Sequence, residues 1–134
     1  MEPLLILDSR KKNTATKLTK NSKLFKVIID AVQQKKAENI ISLDLRKIPE
    51  SAASFFVVCE ASSTVQIKAI ADSVEKEVFE KCDEKPYRHE GFQALQWVII
   101  DYVNIVVHIM QRPTRKFYNL EEMWSDAPQD IFDS

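Results

Sequence analysis

Two histidines, two cysteines and two aspartates that close apolar runs are the residues whose types could do chemistry in this chain. His89-Glu90 together with His108 has the makings of a metal or acid–base cluster, because imidazole and carboxylate both ligate and both move protons near neutral pH. His108, however, sits inside the run Ile105 to Met110, where it reads more simply as a strand residue whose ring finds a neighbouring acceptor. Asp44 and Asp101 end apolar strands, the place where nucleotidyl-transferring folds set metal carboxylates. An Asp there also begins an ordinary turn. Cys59 and Cys82 form no CxxC pair and have no His at ligand spacing, so neither a zinc site nor a disulfide framework is indicated. Both lie in apolar or helical patterns, which disfavours a Cys–His nucleophile and makes them spectator thiols of a reducing compartment.

One count excludes whole classes: the chain has a single glycine, Gly91. Phosphate loops and dinucleotide fingerprints need several glycines so that the backbone can approach phosphate, so P-loop and Rossmann sites are ruled out. A G-x-S-x-G elbow is absent too. No cofactor is expected.

The elements that must position these residues follow from periodicity. Ser22 is a candidate N-cap, and Leu24, Phe25, Ile28, Ile29 and Val32 recur at helical spacing, predicting a first helix that ends near Ala37. Ile40 to Leu45 is a short strand, broken at Lys47-Ile48-Pro49. Ser54 to Cys59 is a continuous apolar run, as expected of a strand covered on both faces. Ser63 with Gln66 has the form of a capping box, and the stripe Ile67, Ile70, Ala71, Val74, Val78 and Phe79 makes the longest helix, to about Cys82. Tyr87 to Phe92, Leu95 to Asp101 and Asn104 to Met110 read as strands, and Pro113 starts a short helix carrying Phe117, Leu120 and Trp124. The expected fold is α/β, a mixed sheet of about five strands with two main helices and a short C-terminal helix.

With 134 residues, 45% apolar and 29% charged, the chain suits one folded unit. Its net charge of −1 does not point to nucleic acid, but it is unevenly spread. Residues 1–23 carry six basic side chains against two acidic ones, a net +4 that leaves −5 for the rest. The division expected is a basic flexible arm over 1–21, a domain over 22–125 and an acidic flexible tail over 126–134. The lysines and arginine of 10–23 suit either a solvated extension or a weak contact with nucleic-acid phosphates. The apolar run Leu4 to Leu7 is too short for a signal segment or a membrane span, so a cytoplasmic protein without membrane contact is expected.

If Tyr102 and Val103 form a two-residue loop, Trp97 faces His108 and Ile99 faces Val106 across a hairpin. Val98, Ile100, Ile105, Val107 and Ile109 then share the core side. Trp97, Ile99, Val106, His108 and Met110 share the other, with Asp101 and Tyr102 near the turn. That second side is either covered by a helix or is a docking surface, for which large aromatic and Met side chains are suited.

The chain also resembles the ribosomal silencing factor family, the Iojap-related proteins, from about Ser22 to Trp124. The resemblance is carried by Lys36-Ala37-Glu38 before Leu43-Asp44, Phe56-Val57-Val58, Ser62-Ser63 with Ala69-Ile70-Ala71-Asp72, Glu90-Gly91, Trp97-Val98-Ile99-Ile100-Asp101-Tyr102 and Val107-His108-Ile109. It continues through Arg115, Phe117-Tyr118-Asn119-Leu120-Glu121 and Trp124. It implies a nucleotidyltransferase-like fold that has lost its catalytic equipment. It further implies binding to the large ribosomal subunit through the fourteenth protein of the large-subunit series, so that the small subunit cannot join and translation is silenced under nutrient limitation. Trp97 would lie at that contact. Three features depart from the family pattern: Asp101-Tyr102-Val103-Asn104 puts a bulky residue where a turn Gly is usual, Glu60-Ala61 replaces Thr-Gly, and both termini are extended.

The leading expectation is therefore a translational repressor, not an enzyme, whose partner-binding residues are Trp97, Ile99, Asp101, Tyr102, His108 and Met110. The alternative is a metal-dependent nucleotidyl- or phosphoryl-transfer enzyme using Asp44 and Asp101. A third reading pairs two free chains through the hairpin face as a homodimer.

Overall fold

A computed structural model describes residues 22–133. The expectation of a flexible arm over 1–21 lies outside the described residues. Ser22 caps the first helix, α1 (Lys23–Gln34), its hydroxyl accepting from the Phe25 N–H at 3.2 Å. The helix stops three residues earlier than expected because Lys36 turns into the left-handed region at φ 61°, and the Ala37 N–H reaches back to the Val32 carbonyl. Strands β1 (Glu38–Asp44) and β2 (Phe55–Ala61) follow, then the long helix α2 (Thr64–Cys82). Ser63 caps α2 at 3.1 Å, but the Gln66 side chain does not close a capping box. It donates instead to the Lys35 and Lys36 carbonyls, satisfying the C-terminal end of α1.

The remaining elements are β3 (Arg88–Glu90), β4 (Trp97–Asp101), β5 (Ile105–Gln111), the short helices α3 (Arg112–Tyr118) and α4 (Leu120–Met123), and β6 (Gln129–Phe132). The sheet has six strands in the order β3-β4-β5-β2-β1-β6, with only β2 and β5 parallel. The mixed α/β class is as expected, with one strand more. That strand comes from residues expected to be a loose acidic tail. Instead Ala127 is buried, the Pro128 carbonyl accepts from the Asp44 N–H, and Gln129 to Phe132 pair antiparallel with β1. Phe132 and the edge explain why: β1 is otherwise unpaired on that side, and Phe132 brings an aromatic ring to Phe25 of α1, 5.9 Å between centroids.

Both long helices cover one face of the sheet. Phe55, Val57, Cys59, Val98, Ile100, Ile105, Val107 and Ile109 point to them and are buried with Ile28, Val32, Ile67, Ile70 and Val74. The other face carries a smaller cluster built from Ile41, Leu43, Val58 and Met110 with Leu120 and Ala127 of the C-terminal segment. A bulge between Glu38 and Ile41, with Asn39 at φ 49°, puts one extra residue in β1, so that Glu38 and Ile41, three apart, pair with Glu60 and Val58, two apart.

Candidate docking surface

The β4–β5 pairing sets the site. Trp97 faces Met110, Ile99 faces His108 and Asp101 faces Val106. This register lies two residues from the one a two-residue loop would give. The turn is longer, closed by the Tyr102 N–H on the Ile105 carbonyl at 2.9 Å. A slip of two leaves every side chain on its own face, so the division into a core side and a second side stands. Asp101 makes the turn possible: its Oδ1 accepts from the Val103 N–H at 2.7 Å while Val103 is held at φ 76°. A β-branched residue there is strained. Gly91 stands where the loop after β3 crosses β4. Its φ is 90°, and any Cβ would overlap the Trp97 carbonyl oxygen.

The six residues expected to bind a partner do not form one surface. Tyr102 is only 4% exposed and belongs to the helix-side core. Alternation puts it in step with Val98 and Ile100, and the longer turn keeps it so. Met110 is fully buried beneath the C-terminal segment. Neither offers surface to a partner, which corrects the expectation for both. Asp101 and His108 are each 5% exposed, while Trp97 and Ile99 are partly open.

What the second face does present is a continuous run of rings. Phe117 meets Tyr118 at 5.0 Å, Tyr118 meets Trp97 at 4.8 Å, Trp97 meets His108 at 5.9 Å and His108 meets Phe56 at 4.4 Å. Phe56 then meets Trp124 at 5.9 Å. Phe117 is 79% exposed and Tyr118 47%. The sequence reading put Phe117, Leu120 and Trp124 on one short helix starting at Pro113. The helix breaks at Asn119, which takes φ 47°, ends α3 by donating to the Arg115 carbonyl and caps α4. Leu120 turns inward and Phe117 outward as a result. Asn preceding Leu-Glu-Glu was the available signal for this break.

The C-terminal segment is held by ions. Arg115, 6% exposed, donates to Glu60 at 3.1 Å, to Glu121 at 2.8 Å and to the Asn39 carbonyl at 2.7 Å. Arg112 adds contacts to Glu60 and Glu38. A buried guanidinium fork suits this because it satisfies several acceptors at fixed angles.

The other chemistry candidates are scattered. His89 lies opposite Ile100 on the helix side and contacts Glu75 at 2.6 Å, whereas His108 is on the opposite face. Burial lowers the His108 pKa to about 3, and its Nδ1 accepts from the Trp97 indole N–H at 3.1 Å, so the ring is neutral with its proton on Nε2. Cys59 points into the helix-side core, where burial pushes its thiol up to about 12. Asp44 and Asp101 sit at the same end of the sheet but three strand spacings apart, roughly 14 Å. Each is paired with its own arginine, Arg46 and Arg88. One metal could not reach both. Among the described residues, no helix is long and apolar enough to cross a membrane.

Residues 18–134 match the family described as ribosomal silencing factor during starvation. The ribosomal silencing factor RsfS of Halalkalibacterium halodurans is 38% identical over 108 residues, covering 81% of this chain and 91% of that protein. The mouse protein named mitochondrial assembly of ribosomal large subunit protein 1 is 28% identical over 102 residues, which span 74% of this chain and 44% of the mouse protein. A crystal structure of a Chromobacterium violaceum protein superposes with a TM-score of 0.72 at 29% identity, covering 77% of this chain and 84% of that one. The match covers the sheet, both long helices and the C-terminal segment, and the chain therefore belongs to the ribosomal silencing factor family.

Proposed function

We infer that this protein silences translation by docking its ring-lined sheet face on the large ribosomal subunit, through the fourteenth large-subunit protein, and so occupies space that the small subunit needs. The observation that carries this reading is the run Phe117–Tyr118–Trp97, a contiguous aromatic surface on the face that the two long helices leave uncovered. Family membership supports the silencing role, and the name of the mouse relative supports the large subunit as the site of action. The reading needs no turnover and no cofactor; the fold serves as a nucleotidyltransferase-like scaffold without its chemistry. Its place of action is the cytoplasm, and the Lys/Arg arm 10–23 adds a weak contact to ribosomal RNA phosphates. Off the ribosome the same face pairs two copies of the chain.

The test is co-sedimentation with purified large subunits. Trp97→Ala should weaken binding by on the order of 2 kcal/mol, about thirtyfold, and restore subunit joining in parallel. Unchanged binding would remove the docking assignment. Sedimentation of the free protein at rising concentration tests self-association.

A further inference from the structure

Beside Trp97 the same face is hollowed. Ala53, Phe56, Ile99, Val106, His108 and Trp124 border a cavity of about 290 Å³ whose rim carries Glu50, Arg88 and Asp101. Its volume falls at the lower end of small-molecule pockets and suits one side chain better than a nucleotide or cofactor. Apart from Ser51 and the charged groups of the rim, the walls are apolar with His108 as the exception. His108 is 5% exposed, its Nδ1 is occupied by the Trp97 indole, and its Nε2 has no hydrogen-bond partner among the described residues. A buried N–H without an acceptor is costly, and such groups are normally satisfied. His108 lines the cavity, and the half-buried Phe56 ring stands edge-to-face on its imidazole at 4.4 Å, so this ring has to turn for Nε2 to open onto the pocket.

We propose that the pocket seats one neutral, acceptor-bearing side chain of the protein that docks on the Trp97 face, with His108 Nε2 donating to its oxygen. The inference rests on the docking reading above. The rim decides against an anionic occupant, because Glu50 and Asp101 stand at the opening and the one nearby cation, Arg88, already contacts Glu90 and Asp101. Histidine is neutral here and offers no charge to a carboxylate. A cation would be held at the opening by Glu50 and Asp101 and would meet only a donor at the floor. An amide, hydroxyl or phenol oxygen on an apolar stem meets both the walls and the donor. Because Trp97 holds the ring in this tautomer, the surface residue and the pocket floor act together.

Purified large subunits are the probe, and four variants separate the possibilities. Ala52 is exposed at the pocket, so Ala52→Trp fills the mouth without disturbing the core. Binding should fall tenfold or more. His108→Asn keeps a polar group near Nδ1 and removes the Nε2 donor, and should weaken binding about fivefold, the worth of one hydrogen bond. His108→Gln restores a donor at the Nε2 position and should bind within about twofold of the parent. If Ala52→Trp and His108→Asn bind normally while Trp97→Ala does not, the pocket is unoccupied and only the docking reading stands. If Trp97→Ala also binds normally, both are overturned. Should His108→Asn fail to fold, Ala52→Trp alone decides.

Discussion

The two faces of the sheet are built from adjacent residues of the same strands and yet have opposite characters. The helix side has a predominantly apolar core closed by α1 and α2, with Phe55, Ile100, Ile105 and Ile109 wholly buried. The second side mixes rings with polar groups, and only short helices held by Arg115 cover part of it. The difference shows where one chain can afford stability and where it must keep surface free. A long helix laid across the second face would bury Trp97 and Phe117 as thoroughly as Phe55.

That contrast can be broken or sharpened in order of effect. Phe55→Ala should cost about 4 kcal/mol in urea unfolding, because its ring is enclosed by the helix-side core and packs edge-on to Phe25 at 5.4 Å. A cost below about 1 kcal/mol would show that this side is not the principal core. Arg115→Met should cost about 3 kcal/mol, since it takes the buried arginine from Glu60 and Glu121, leaves Glu60 only its contact with Arg112, and frees the C-terminal segment. Chymotrypsin cleavage near Phe117 should accelerate in the same variant; unchanged cleavage would mean the segment is held by apolar contacts alone.

The pH dependence is expected to be smaller. His108 has a folded-state pKa of about 3 against 6.5 for an ordinary histidine, so the unfolded chain takes up the proton first as pH falls. Stability is full above pH 6.5 and is lost between 6.5 and 3, by about 2 kcal/mol on reaching pH 5. Urea midpoints at pH 7.5 and 5 measure it, and His108→Gln should flatten the difference. The smallest effect has the opposite sign. Val103→Gly relieves a β-branched residue at φ 76° and should stabilise by about 1 kcal/mol. Loss of stability there would mean that the entropy of the glycine outweighs the strain.

Much of this was legible beforehand. Alternation along Trp97 to Asp101 and Ile105 to Met110 assigned both hairpin faces correctly even though the register was off by two, since period two is indifferent to an even slip. Both long helices and their N-caps were also readable, because a Ser followed by helical periodicity is a local signal. The sixth strand was not, because Gln129 to Phe132 is short and acidic and becomes a strand only against β1. Nor was the burial of Met110, which depends on where Leu120 arrives.

By itself, then, the amino-acid sequence determined which residues share a face, where the long helices begin, and, through its lone glycine, that the chain carries no glycine-rich phosphate-loop fingerprint. These follow from periodicity and from the conformations each residue tolerates. Tertiary structure alone decided how open each face is. It put Tyr102 in the core, Met110 under the C-terminal segment and Phe117 in solvent, and it set His108 in the lining of a hollow on the second face. Burial depends on what arrives from distant parts of the chain, and no local pattern carries that information.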